Sequence, residues 1–266
     1  MTPKDASLPV SQSSERYIYF MKSLSPWMAG TAIFLTLYAV YTNYLNMTVL
    51  LTPYEGGAAT SLATGLSVSS IALAIMSKAI SWLRLTLLCL GLATALTAQT
   101  FPDFWTSLAA HVAMDGKMGL NTSLIIALLA LSHLLAPRFY KTGAALALAG
   151  FVILSNCLLS LSFGAVYLSG QTALGSIAAM LLLTFATLTR FLNFAPTRIL
   201  FLDSPIGQST RTMVFMSVTA PWACGLVLHH LIGVQERDYP VEAMMFTAII
   251  ATGIVMAIRS GNFLER

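Results

Sequence analysis

Long apolar runs separated by short polar punctuation dominate the chain. Eight can be marked, at about 27–47, 58–77, 82–100, 120–137, 142–165, 171–190, 212–233 and 241–258. Each is near the ~20 residues that a helix needs to cross ~30 Å of hydrocarbon. Lipid offers the backbone no hydrogen-bond partner, so each run is expected as a helix rather than an open strand. The punctuation carries its own expectations. Residues 1–25 form a polar tail of mixed charge, and residues 261–266 a short polar end. Between 100 and 117, Phe104 and Trp105 beside polar groups predict a short helix lying in the membrane interface. Between 191 and 211, Pro196, Asp203, Pro205 and Gly207 argue against a continuous helix and predict a turn over 203–207. Tyr38, Tyr41 and Tyr44 close the first run, where an aromatic belt would form.

One pattern recurs. A polar, turn-forming lead-in at Asp115 is followed by the hydroxyl of Thr122, then by an apolar run that ends at Pro137 and the cations Arg138 and Lys141. Similar order returns around Thr172 and, more weakly, around Ser70. The interval of about 50 residues predicts three helix-hairpin repeats. The fold class expected is therefore an all-α integral membrane protein of about eight transmembrane helices, one domain over 26–260.

Composition agrees with the pattern. Hydrophobic residues make up 57% of the 266 and charged residues only 9%, with mean hydropathy +0.78, against about 25% charged in soluble domains. The lipid bilayer is thus an expected partner. The net charge of +4 does not imply nucleic acid, because its cations are scattered rather than gathered into a patch. They instead set topology. With a cytoplasmic N-terminus, Lys4, Arg16, Lys22, Lys78, Arg84, Arg138, Lys141, Arg190, Arg198, Arg211, Arg259 and Arg266 lie inside, and only Lys117 and Arg237 lie outside. Both termini are expected in the cytoplasm, in a bacterial inner membrane. Cys89, Cys157 and Cys224 all sit in apolar runs without metal or disulfide spacing.

Candidate chemistry is sparse. Ser70, Thr122 and Thr172 are placed near the outer ends of three helices, as N-caps or around a shallow ligand pocket. His111 and His229, with His230 and Asp115, form the other outer candidate, for a metal or haem. Adjacent helical positions point about 100° apart, which sets His229 and His230 against sharing one centre. No metal site, cofactor or catalytic activity is expected. Pro221 and Trp222 suggest a hinge in the seventh run, coupling the outer face to Asp203, Pro205 and Gly207. His133, near the inner end of the fourth run, reads as a packing or solvated residue. Small residues four apart, as at Gly65, Gly91 and Gly143, predict close helix contacts. No run has an acid or base at its centre, which counts against a transporter.

The segments Asp115–Leu129 and Leu202–Met213 resemble the polytopic N-terminal membrane input domains of bacterial sensor histidine kinases and diguanylate cyclases, the MASE-like sensory domains. That resemblance implies a non-catalytic sensing module whose last helix drives a cytoplasmic output. Two departures stand beside it. The family often has proline where Leu120 stands, and its members continue into a coiled coil and catalytic domain where this chain has Arg266. The chain is then either a trimmed piece or a free-standing relative acting through a partner. A sensory or regulatory input module is the first expectation, working with a membrane or cytoplasmic protein or with its own copy. An accessory subunit of a larger membrane complex, such as an energy-transducing one, is the alternative, and a small-solute transporter the third.

Overall fold

The computed structural model describes residues 12–45, 60–77, 81–111, 117–162, 173–192, 198–199, 204–227, 252–253, 255–256 and 259. Every regular element among them is helical. In chain order they are α1 (Gln12–Tyr44), α2 (Leu62–Met76), α3 (Ser81–Thr100), α4 (Pro102–His111), α5 (Leu120–Leu135), α6 (Tyr140–Ser162), α7 (Leu174–Leu188) and α8 (Pro205–Val227), with a 3-10 turn over Thr189–Phe191.

Local chemistry explains the boundaries. Ser61 holds extended backbone, and its Oγ accepts from the Thr64 N–H at 3.2 Å, so α2 opens on a side-chain cap. Pro137 cannot extend α5, and the chain turns with the Arg138 and Phe139 amides both donating to the Leu135 carbonyl. The Gly207 N–H donates to Ser204 Oγ at 3.1 Å, with Pro205 in the first helical position that proline favours. Residues 204–207 therefore start α8 rather than forming a free turn, and the helix begins seven residues before the expected 212. Helix α1 likewise begins at Gln12, so the second half of the polar N-terminal segment is helical. Pro26 and Pro221 lie inside α1 and α8, and both helices run on past them. The short helix expected in the 100–117 loop is α4.

Among the described residues, four helices are long and apolar enough to cross a membrane: Ile18–Tyr44, Ser81–Thr100, Tyr140–Leu158 and Leu174–Phe191. Helices α2 and α5, with 15 and 16 residues, are apolar but shorter. At 1.5 Å per residue they reach only about 22–24 Å. They are also well enclosed, sharing a core with Ala29 and Ala32 of α1, Ala95 of α3 and Ala179, Met180 and Leu183 of α7. The crossing expected over 241–258 falls almost wholly outside the described residues.

Hydrogen bonds between helices show which ends meet. At one end, Asn43 Nδ2 of α1 donates to the Thr60 carbonyl before α2, and Thr60 Oγ1 pairs with Ser176 Oγ of α7. There too, Gln99 Nε2 and the Ala95 carbonyl of α3 meet the Met118 carbonyl and Ser123 Oγ at the start of α5. At the other end, Ser25 Oγ of α1 donates to Ala186 of α7, and Arg84 at the start of α3 meets His133 near the end of α5. The long helices thus alternate in direction along the chain, α1 and α3 running one way and α2, α5 and α7 the other. The second end collects Lys22, Arg84, Arg138, Lys141 and Arg190, whereas Lys117 stands at the first; we call the second the basic end.

Small residues set the helix spacing. A Cβ on Gly65 would stand 2.8 Å from Val40 of α1, one on Gly91 2.9 Å from Ile71 of α2, and one on Gly143 2.7 Å from the Ser132 carbonyl of α5. Such close approach replaces the hydrophobic drive that lipid cannot supply. Other large apolar side chains point outward: Trp27, Phe34, Trp82, Leu85 and Phe215 are exposed.

Candidate functional site at the basic end of the bundle

Neither described hydroxyl of the sequence pattern caps its helix. Ser70 is the ninth residue of α2, and its Oγ donates to the Leu66 carbonyl of its own helix. It neither caps the helix nor stands at its end; Ser61 is the cap. Thr122 is buried in the first turn of α5, whose N-cap is Gly119, without a side-chain cap bond. Thr172 lies outside the described residues, and α7 opens at Ala173, also uncapped by a side chain. Ser70 and Thr122 thus fall at different offsets from their helix starts, and capping by these two residues is corrected on that ground. The crevice at this end, between Ser61, Ala98, Trp105 and Met118, holds about 10 Å³, room for about one water.

Of the histidines expected on that face, His111 ends α4 with its side chain outside the described residues, and His229 and His230 lie outside them altogether. Asp203 and the side chain of Trp222 are outside as well, while Pro221 is buried in α8. Among the described residues no group of three His, Cys, Asp or Glu could hold a metal.

Charged side chains converge at the basic end, around His133. This histidine is buried in the last turn of α5. Its Nδ1 stands 2.7 Å from Arg190 Nη1 and 3.3 Å from Arg84 Nη2, and its Nε2 is 3.2 Å from Thr187 Oγ1. Guanidinium groups only donate. Nδ1 must therefore accept, and the ring's proton sits on Nε2, donated to Thr187. The Thr187 hydroxyl passes its own hydrogen to the Leu183 carbonyl at 2.8 Å. Arg190 Nη1 is also 3.2 Å from the His133 carbonyl, which fixes the guanidinium to the end of α5. One side chain thereby ties α3, α5 and α7 together.

The junction is incomplete as a charge arrangement. An imidazole nitrogen offers one in-plane lone pair, and the shorter contact to Arg190 uses it. Arg84 is left with a long second-best contact and most of its five donors unused. Sharing one acceptor brings the two guanidinium nitrogens within about 6 Å, where like charges repel by roughly 3 kcal/mol at an effective dielectric of about 20, before salt screening. Lys22 adds a third cation. Among the described residues no carboxylate pairs with Lys22, Arg84 or Arg190.

These cations border a cavity of about 280 Å³, lined by Lys22 and Ser25 of α1, Ile75 of α2, Arg84 of α3, His133 of α5, and Ala186, Thr189 and Arg190 at the end of α7. Two hydroxyls in that wall, Ser25 and Thr189, both donate to the Ala186 carbonyl. A larger cavity of about 480 Å³ between α6, α7 and α8 is walled by side chains such as Leu148, Phe151, Leu154, Phe185 and Phe215. It offers hydrocarbon contact rather than chemistry.

Sequence reasoning named every cation of the cluster, but as a topology marker, and took His133 as packing. The available signal was depth: Lys22, Arg84, His133 and Arg190 all fall near the same predicted side. Depth alone does not say which helices are neighbours. Comparison of the chain with protein-family models, with curated proteins and with solved structures finds no match.

Proposed function

We propose that this chain is a non-enzymatic regulatory module of a membrane, in which the His133 junction at the basic end responds to a ligand and passes its state to a protein partner. The observation that carries the reading is the pair of guanidiniums competing for His133 Nδ1. An anion entering the adjoining cavity would relieve their repulsion, draw Arg84 away from the imidazole and alter how α3 sits against α5. Only a ligand that distinguishes two such states can shift them. The cation distribution supports a cytoplasmic position for this end, where an output partner would be met, and the cell membrane of a bacterium is the expected location.

The accessory-subunit reading is favoured by a different observation. Gly30 lies on an outward face of α1 with nothing within 4 Å of its missing Cβ, between the exposed Trp27 and Phe34. A glycine with no internal packing reason suits a second helix approaching from outside. Crosslinking in native membranes, followed by identification of captured proteins from wild type and Arg84→Gln, separates the two. A regulatory module is expected to capture a signalling or transcriptional partner whose yield changes in Arg84→Gln. Co-purification at fixed stoichiometry with one energy-transducing complex, unchanged in that variant, would sink the regulatory reading.

A further inference from the structure

We propose that the cavity between Lys22, Arg84 and Arg190 is a binding site for a phosphate group, presented by a lipid headgroup or by a free phosphate. This deepens the regulatory reading by naming the chemistry that the His133 junction recognises. Three cations line the cavity from three helices, and among the described residues none has a carboxylate counter-charge. His133 cannot serve as one, because its single acceptor position is already contested by both guanidiniums. The site therefore asks for an acceptor carrying more than one lone pair and more than one negative charge. A phosphate monoester meets both demands: its oxygens accept in several directions at once, and it carries about −1.5 to −2 near neutral pH. Arg84, with its fork largely unused, can bind two of those oxygens side by side, and Lys22 can approach a third as a point charge. A single carboxylate offers only two oxygens and one charge to the three cations.

The size and position agree. At about 280 Å³ the cavity is close to the lower limit of ~300 Å³ for small-molecule sites, fit for one polar group rather than an extended ligand. Trp27 and Trp82, each two residues from a cavity residue, are exposed on the outside of the bundle. Exposed tryptophans mark the headgroup level of a bilayer, so Arg84 would stand where lipid phosphates lie.

The test uses the full chain in nanodiscs of phosphatidylcholine, titrated with inorganic phosphate by calorimetry. In parallel, discs of phosphatidylcholine mixed with phosphatidic acid are analysed by native mass spectrometry for retained lipid. Arg190→Gln would also remove the bond to the His133 carbonyl that ties down the end of α5, so Arg84→Gln and Lys22→Gln carry the comparison. Saturable binding of either probe, weakened about tenfold or more by Arg84→Gln and partly restored by Arg84→Lys, is the expected result. Saturation by inorganic phosphate identifies a free anion as the source, and retention of phosphatidic acid alone identifies a headgroup. Absence of both, or binding that ignores both Arg84→Gln and Lys22→Gln, overturns the site. Binding is read on the isolated protein. A site that binds phosphate while partner capture ignores Arg84→Gln would refute the regulatory reading and leave this inference standing.

Discussion

At the scale of single residues, a hydroxyl's worth depends on what its partner would lose. Ser61 Oγ satisfies the Thr64 N–H at the start of α2, whereas Ser70 Oγ bonds back to Leu66 inside a helix that holds without it. Ser61→Ala is expected to cost about 0.5–2 kcal/mol and Ser70→Ala far less, both measured by denaturation in the same detergent. Equal losses would mean that Ser61 is not the working cap. Thr187 takes the proton of a buried imidazole. Thr187→Val keeps the shape but strands His133 Nε2–H, and a loss of about 1–3 kcal/mol is expected. A neutral change would show that His133 can turn to another acceptor. His133 itself was read in the sequence as packing, and it is indeed buried. What a lone histidine in an apolar run does not disclose is that two arginines reach it from helices 49 and 57 residues away.

Between elements, fit decides more than hydrophobicity. The four-residue spacing of small residues was legible in the sequence, and Gly65, Gly91 and Gly143 do sit where neighbouring helices leave no room for a Cβ. Gly143 is the most constrained, facing the Ser132 backbone carbonyl and the Phe191 ring. Gly143→Ala should push α6 off α5, destabilise by about 1–3 kcal/mol and lower the melting temperature. Gly30→Ala meets nothing and is expected to be neutral or stabilising by up to about 1 kcal/mol. If Gly30→Ala harms the purified protein as Gly143→Ala does, the outward face of α1 is not free. Helix ends were less legible. The Ser204–Pro205–Gly207 cluster looked like a turn because proline and glycine punctuate most chains; here serine caps and proline leads, so the same residues begin α8.

For the whole molecule, the alternation of helix directions gathers Lys22, Arg84, Arg138, Lys141 and Arg190 at one end and leaves Lys117 at the other. The positive-inside tendency turns that asymmetry into a testable expectation of orientation. Reporter fusions in the loop beside Lys117 and in the turn at Pro137–Arg138 are expected to report opposite sides, the second cytoplasmic. Both on one side would overturn the alternating arrangement. The count of crossings is a separate matter, because α2 and α5 are shorter than a bilayer's hydrocarbon. Enclosed by their neighbours, they need not face lipid along their whole length.

The sequence by itself determined that this is a helical protein with several segments apolar enough for a membrane, because a chain with 9% charge cannot cover itself in water and because helices alone satisfy their backbone in lipid. It also determined that Lys22, Arg84, Arg138, Lys141 and Arg190 fall at one end of their helices and Lys117 at the other, and the small-residue faces on which the helices close, since both are set by distance along a single helix. Only the tertiary structure decided which depths belong to the same place. Nothing in the order of residues says that α7 lies against α1, or that α5 ends between the arginines of α3 and α7. Helix adjacency depends on the summed fit of many small contacts rather than on any local signal. For that reason Ser70, read in the sequence as a helix start, lies inside α2, while a histidine and three cations spread over nearly 170 residues of chain border one cavity.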